Sequence, residues 1–535
     1  MSKIVEDLNQ PQDSAQPDSE KTHYLTFPFA ISERPDGGLP NVIMNEAKNS
    51  AGKKVVMFST DQQDIENFDG IKVVAADRPQ FTNDLINLWF GTGYWSLLHP
   101  KAHTEGSVPL ETLRAMYDAE SVNALMEKLE RQSPETVSLP KFGSQEFLHA
   151  YVKQYGPQID AGIKFNQSFE SGVAKELARA QAQSKHIVFN FQDYFFHNLI
   201  EVAAPKVKEY GGLSTYHLHT TVPFIPNGVE IPSLIAGIAR AASATDVVLT
   251  HTEVYNERLR SILDRLGLPH PEYRTFALGI DEEDLARRES RVTPGNYTKE
   301  IQGFEGFSER QKNLIHAAFR AEAEGVPHQF GIYDRMDPIK GLDVVFTAID
   351  KFLEEERSYL GMDGLKQKYR FFAVTSLMPD PSKDYDHLNF KAAYANHATK
   401  IGLQLEAKWP GIFVISEGFS AKNRDLIVAL MRDRTVITGG AEDGLNQVVM
   451  ESSFINRNNP TGIIAGNNIG FVLEMTRAGL RDNMYTFQSG NVSQLKDNIR
   501  QVALFQENNP GHLVLQKREL NGLIATRNAS MLVSE

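Results

Sequence analysis

The sequence predicts an α/β protein made of two Rossmann-like, doubly wound domains facing a central cleft. Three observations carry this. Short runs rich in β-branched and aromatic residues alternate with longer segments of helical spacing, several of the runs end at Gly, Asp or Asn, and the alternation pauses once in a chain of 535 residues. Strand–helix alternation of this kind builds parallel sheets covered by helices on both faces. One pause in a chain of this length separates two such units. Their carboxyl ends would then surround one cleft, where folds of this class bind ligands.

In chain order, the strands are expected at 25–30 (LTFPFA), 54–58, 71–76, 186–191 (HIVFNF), 214–219 (STYHLH), 247–251 and 273–280. After the pause they resume at 328–333 (HQFGIY), 369–376 (YRFFAVTS), 411–418, 434–440 (RTVITGG) and 462–468. Among the helices, 342–356 carries Leu342, Val345, Phe346, Ile349 and Phe352 on one apolar face, and 392–408 is a second. The pause around 283–327 is rich in charge and Gly and shows no strand signal. The division is therefore a tail at 1–20, expected to be disordered, and an N-terminal domain at 21–285. A connection at 286–325, a C-terminal domain at 326–505 and a last segment at 506–535 that can pack back complete it.

Composition excludes several function classes. The chain has no cysteine, which removes disulfides, thiol nucleophiles, Cys-type zinc sites and iron–sulfur clusters. Its 55 Lys and Arg against 68 Asp and Glu leave a net charge of −13, which argues against a nucleic-acid or anionic-membrane footprint. A locally basic pocket for a small anion remains compatible with that. The start of the chain is polar and acidic, without the basic and apolar regions of a signal peptide, and no run approaches 18 apolar residues. A cytoplasmic location is the expectation.

Neither a Gly-x-Gly-x-x-Gly fingerprint nor a Walker P-loop is present. The informative loops follow strands. HQFGIY runs into DRMDPIKG, which puts Arg335 and Lys340 just ahead of the helix at Leu342. A guanidinium and an ammonium beside a helix N-terminus suit a diphosphate; two solvated charges around an Asp337-Pro338 turn are the alternative. RTVITGG runs into AEDGLNQVVME, with Asp443 and Asn446 at a helix start and Glu451 about a turn and a half further on. A carboxylate there can accept both hydroxyls of a ribose, or Asp443 is an N-cap and Glu451 a solvated helix residue. In the first half, Asp193 and His219 close two strands and can bind hydroxyls or serve structure alone. Gly37-Gly38 either lets backbone approach a phosphate or makes an ordinary turn.

Taken together, these residues resemble the retaining glycosyltransferases of the trehalose-6-phosphate synthase type, which have a two-domain GT-B fold. The similarity runs from about residue 25 to 475 and is strongest in DRMDPIKG (334–341) and EDGLNQVVME (442–451), where Asp443, Gly444, Asn446 and Glu451 fall at the family's spacing. Weaker matches are SER (32–34), GGL (37–39), YWSLLH (94–99), QDY (192–194), HTTVPF (219–224) and LGID (278–281). The resemblance implies a nucleotide-diphosphate sugar as donor, UDP-glucose being the family default. Arg335 and Lys340 would neutralise its diphosphate and Glu451 would hold its ribose. Asp443, Gly444 and the backbone near Asn446 would face its sugar, with His219 contacting the sugar from the N-terminal side and Gly38 approaching phosphate. Asp193, Trp95 and Arg34 would form the acceptor site, with Lys383 standing in for a family arginine where this chain reads Leu377-Met378-Pro379.

The family's His-Asp-Tyr-His is here Gln192-Asp193-Tyr194-Phe195, and the Gly-Gly loop is short. These departures and the missing arginine fall on the acceptor side. The implied chemistry is front-face substitution with no metal or other cofactor, the departing phosphate taking the acceptor's proton. The partners are then a nucleotide sugar and a small polar acceptor, with no nucleic acid and no membrane, and a homo-oligomer is compatible. Glucose 6-phosphate is the default acceptor. Alternatives are enzymes using glycerol phosphate or a cyclitol phosphate, pseudo-glycosyltransferases joining carbasugars, a sugar-nucleotide epimerase, and a non-catalytic sugar-nucleotide-binding protein.

Overall fold

The computed structural model describes residues 21–26, 54–59, 63–68, 71–76, 156–183, 186–225, 231, 233–275, 280–291, 307–337, 340–375, 390–416, 424–440, 443–488 and 490–533. The expected tail at 1–20, together with Arg34, Gly38, Trp95 and Lys383, lies outside them.

The first half is one eight-stranded sheet. Its strands are β1 (Lys21–Thr26), β2 (Lys54–Ser59), β3 (Ile65–Phe68), β4 (Ile71–Ala75), β5 (His186–Gln192), β6 (Leu213–Leu218), β7 (Val247–Thr250) and β8 (Glu272–Thr275). They lie in the order β3-β4-β2-β1-β5-β6-β7-β8. All pairs are parallel except β3 with β4, a short antiparallel edge that strand patterning did not reveal. Helices α1 (Gly156–Ala182), α2 (His197–Glu209), α3 (Ser233–Ala244) and α4 (Glu253–Leu266) pack against it. Ile187, Phe189 and Phe191 of β5, which share one face by strand alternation, are all buried. Phe58 and Phe189, two strands apart across β1, stack with ring centroids 5.7 Å apart.

The stretch read as a connection holds α5 (Glu282–Arg291) and α6 (Glu309–Ala323). Both face the second half: Leu285, Leu314, Ile315 and Phe319 share a core with Tyr333, Phe372 and Val436. Ser308 caps α6, accepting from the Gln311 N–H while the Gln311 side chain accepts from the Ser308 N–H.

The second sheet has six strands, β9 (His328–Tyr333), β10 (Tyr369–Val374), β11 (Phe413–Ser416), β12 (Thr435–Thr438), β13 (Ile463–Gly466) and β14 (Tyr485–Phe487), in the order β11-β10-β9-β12-β13-β14. Every pair is parallel. Its helices are α7 (Leu342–Lys368), α8 (Phe390–Lys408), α9 (Arg424–Met431), α10 (Gln447–Ile455), α11 (Gly470–Arg477), α12 (Val492–Asn508) and α13 (Pro510–Val533). The apolar face expected on 342–356 is buried as a block. Among the described residues no helix is long and apolar enough to cross a membrane.

Each sheet grows outward in both directions from a starting strand, so strand order reverses between β1 and β5 and again between β9 and β12. Loops leaving the carboxyl ends of two strands at such a point diverge and open a crevice. Asp193 follows β5. The loop bearing Arg335 and Lys340 follows β9, and the one bearing Asp443 follows β12.

The last segment packs on the second half. Leu520 and Ile524 of α13 join a core with Val449 and Met450 of α10, and the buried Lys517 donates to the Thr461 carbonyl (2.7 Å), to Thr461 Oγ1 (2.9 Å) and to the Asn459 carbonyl. Lys517→Ala strips three oxygens of their donor in a water-poor site and is expected to cost about 1–3 kcal/mol. Thermal or urea unfolding measures this, and an unchanged midpoint would mean that the Lys517 bonds add nothing to the docking of α13.

Candidate functional site

The second sheet's crevice is built around one ammonium. Lys340 closes the β9–α7 loop and is buried, 8% exposed. Gly341 begins the helix with φ 57°, a left-handed conformation that glycine tolerates. The Lys340 Nζ forms an ion pair with the Asp443 carboxylate and lies 3.3 Å from Asp334 Oδ1. Burial works against the lysine's charge, and the two carboxylates, Asp443 foremost, outweigh it and hold its pKa above the usual lysine value. Asp334 is buried in turn. Its Oδ2 accepts from Thr438 Oγ1 at 2.6 Å, and Thr438 Oγ1 accepts from Asn446 Nδ2 at 2.9 Å. A continuous polar chain, Lys340–Asp334–Thr438–Asn446, thus ties the loop after β9 to the loop after β12. Gly439 packs against the Lys340 carbonyl where a Cβ would collide.

Arg335, on the same loop, is exposed and adds its charge beside Lys340. Asp443 does not cap the following helix. That position belongs to Asn446, at φ 62° and ψ 83°, with no side-chain capping bond. The helix start at α7 is internally filled: Tyr394 donates to Asp343 Oδ1 at 2.6 Å, and burial lifts the Asp343 carboxyl to about 7.

The first sheet contributes Asp193 and His219. Asp193 sits at φ 59° and ψ 178°, a strained backbone for a non-glycine residue. Its N–H donates to the His217 carbonyl at 2.7 Å, and its carboxylate accepts from the backbone N–H groups of Tyr194, His219 and Thr220. Burial dominates these bonds and raises its carboxyl to about 7. His219 Nε2 donates to Gln192 Oε1 at 2.7 Å, and burial pulls its pKa well below the usual histidine value, so the ring is neutral near pH 7. Around them the hydroxyls of Tyr216, Thr220 and Thr221 are buried without a hydrogen-bond partner among the described residues. Buried polar atoms of that kind are rare outside sites that take a ligand or water.

The two halves meet here. A Cβ on Gly444 would stand 2.5 Å from the His219 carbonyl oxygen. The buried Tyr255 of α4 donates to the Asp443 carbonyl at 3.0 Å, and Tyr194 feels the charges of Asp337 and Arg335 from across the cleft. Lys340, Arg335, Asp443, Gly444, Asn446, Asp193 and His219 therefore belong to one region.

Glu451 has a different set of neighbours. It is buried on α10, ion-paired with Arg424 at the start of α9, and within reach of the Arg288 and Asp284 charges of α5. Burial raises its carboxyl above the usual carboxylate range, against the pull of Arg424. It is thus not a solvated helix residue, and a guanidinium already occupies one of its oxygens. Sequence reading missed Asp334, Thr438, Arg424 and Tyr255. Asp334 was within reach, as a carboxylate at a strand end beside Arg335; the others are partners only through strand order. Among the described residues no group of three or more His, Asp or Glu side chains is arranged to hold a metal.

No family model matches the chain, and no curated protein matches it by sequence. Solved structures do match by fold. The Escherichia coli trehalose-6-phosphate synthase structure with bound UDP-2-fluoro glucose is 13% identical, with a TM-score of 0.61 over 95% of this chain and 96% of that one. The Burkholderia xenovorans alpha,alpha-trehalose-phosphate synthase (UDP-forming) in complex with glucose-6-phosphate is 12% identical, with a TM-score of 0.62 over 96% and 98%. The N-terminal domain of Candida albicans trehalose-6-phosphate phosphatase is 12% identical, with a TM-score of 0.59 over 97% and 98%. The chain shares their two-sheet GT-B fold.

Asp193 offers a test of the site's electrostatics. A carboxyl at about 7 in the folded state against about 4 when unfolded keeps its proton between those values while the unfolded chain loses it. Its contribution to stability is full below pH 4 and is lost as pH rises through about 7. Asp193→Asn removes this dependence, so the difference in unfolding free energy between variant and parent should grow in the variant's favour from pH 4 to 7, by roughly 4 kcal/mol at most. Urea titrations at four pH values suffice; a constant difference would place the Asp193 pKa in the ordinary range.

Proposed function

We propose that the chain is a retaining glycosyltransferase that moves a hexose from a nucleotide-diphosphate sugar to a hydroxyl of a polar acceptor. One observation carries the reading: a buried ammonium and an exposed guanidinium at the β9/β12 crevice face the Asp193 and His219 loops of the other sheet. Cysteine-free surroundings with cations on one wall and hydrogen-bonding groups on the other suit transfer of a group that departs with a diphosphate. The work is electrostatic: charge builds on the leaving phosphate, and cations preorganised around it lower the barrier.

In this reading Arg335 and Lys340 take the diphosphate, and Asp443 with the neutral His219 takes hydroxyls of the hexose. Glu451 reads the ribose while Arg424 keeps its orientation. Asp193 accepts from the acceptor. The bond from the anomeric carbon to phosphate oxygen breaks as the bond to the acceptor oxygen forms on the same face, and the departing phosphate carries off the acceptor's proton. No metal is required by this scheme. UDP-glucose and glucose 6-phosphate are the first pair to try, because similar folds were solved with a UDP-glucose analogue and with glucose-6-phosphate. Glycerol phosphate and cyclitol phosphates follow, since Gln192 and Phe195 replace two histidines of the resembled family.

A sugar-nucleotide-binding protein without turnover is the second reading, favoured by the occurrence of the same fold in a domain of a phosphatase. Mass spectrometry of nucleotide sugars incubated with free and phosphorylated polyols separates the two, with calorimetry reporting binding where no product forms. For the productive pair, Arg335→Ala and Lys340→Ala should each lower kcat/KM by roughly 10²–10³. Arg335 is exposed, so its truncation leaves the fold intact; full turnover in Arg335→Ala together with Lys340→Ala would remove the diphosphate assignment.

A further inference from the structure

Strands β5 and β6 run side by side with Asn190 opposite Thr215 and Gln192 opposite His217. Strand alternation gives Asn190 and Gln192 one face, and Thr215 and His217 one face. The side-chain bonds between the two strands have a fixed direction. An amide oxygen only accepts, and a hydroxyl has one hydrogen to give. The Thr215 hydroxyl spends its hydrogen on Asn190 Oδ1 at 2.7 Å, so at 3.2 Å its Oγ1 accepts from His217 Nε2. One step nearer the cleft, Gln192 Oε1 accepts from His219 Nε2 at 2.7 Å. Both rings therefore carry a hydrogen on Nε2. Gln192 is itself buried, and its backbone N–H donates to Thr26 Oγ1 of β1 at 2.8 Å.

The partner of His219 is an amide, not a carboxylate. A carboxylate at that oxygen would favour the imidazolium, whereas an amide takes the same hydrogen bond without adding charge. The surroundings act in the same sense. The His217 and His251 rings lie 6.2 Å and 5.5 Å from the His219 ring, centroid to centroid, and both oppose its protonation, as burial does. Asp193, on the neighbouring loop, accepts from the His219 backbone N–H, and the loop of Asp443 meets the His219 carbonyl through Gly444. A charged imidazole on this wall would compete with Arg335 and Lys340 for a diphosphate. We propose that Gln192 is the positioning residue of this wall: it holds the His219 hydrogen on Nε2 without lending charge, so that the wall recognises the hexose and leaves the diphosphate to the other side. The inference rests on the nucleotide-sugar reading of the cleft and adds to it what makes one wall blind to phosphate.

Two-bond proton–nitrogen correlation spectra of the full chain, labelled with nitrogen-15 at its 15 histidines, test the tautomer, with His219→Asn identifying the resonance. The parent should show a neutral ring with its hydrogen on Nε2 from about pH 6 to 8. Gln192→Leu should mix the two tautomers, and Gln192→Glu should keep the Nε2 hydrogen but bring a titration into that range. A hydrogen on Nδ1 in the parent, a charged ring at neutral pH, or a Gln192→Leu spectrum identical to the parent's overturns the proposal. Calorimetry then separates positioning from support of the fold. Gln192→Leu should weaken UDP-glucose about tenfold and leave UDP, which has no hexose, within about twofold. Equal weakening of both ligands overturns the proposal, because Gln192 would then serve the fold alone. If the parent binds neither ligand, the nucleotide-sugar reading fails, and with it the hexose preference, while the spectra still decide whether Gln192 sets the His219 tautomer.

Discussion

The second half of the molecule is organised by the cost of burying one ammonium. Taking a lysine out of water is tolerated only where carboxylates surround it, and Lys340 has two, on different loops. Because those loops leave β9 and β12, the ion pairs bridge the point where strand order reverses. The hydrogen-bonded extension through Thr438 to Asn446 carries the same constraint to the start of α10. A left-handed Asn446 and glycines packed against backbone are what allow the two loops to come that close. Charge placement and backbone geometry here are one problem with one solution.

The first half answers with the opposite electrostatics. Its loops offer neutral or nearly neutral groups: a histidine stripped of its charge by burial, a carboxyl raised to about 7, and hydroxyls with no partner among the described residues. Across the cleft, then, one wall carries a buried ammonium and an exposed guanidinium, and the other carries hydrogen-bonding groups of little fixed charge. Glu451 sits among Arg424, Arg288 and Asp284. The carboxylate of α10 is ion-paired by α9 and lies within the opposing charges of Asp284 and Arg288 on α5, a helix of the stretch that joins the two sheets.

Much of the architecture was legible in the chain itself. The run HQFGIY coincides with β9 to the residue, and the helical face from Leu342 to Phe352 is buried as its spacing requires. Both follow from local rules, apolar continuity for a central strand and a 3.6-residue period for a helix. The edge strands β3 and β14 were not legible: IENF and YTF are too short and too mixed to rise above loop composition. Of the site, the residue types and their loops were visible, and the pairings were not. Lys340 is 103 residues from Asp443 and Arg424 is 27 from Glu451. Only strand order brings such residues together, and strand order is a property of the whole sheet rather than of any window.

The contact between Gly444 and the His219 carbonyl has a consequence for motion. With no side chain to compress and a carbonyl oxygen already where a Cβ would press, the two lobes stand at a mechanical stop. Closer approach at this point is blocked by main chain on both sides. An opening of the cleft at this point would also part the Tyr255 hydroxyl from the Asp443 carbonyl.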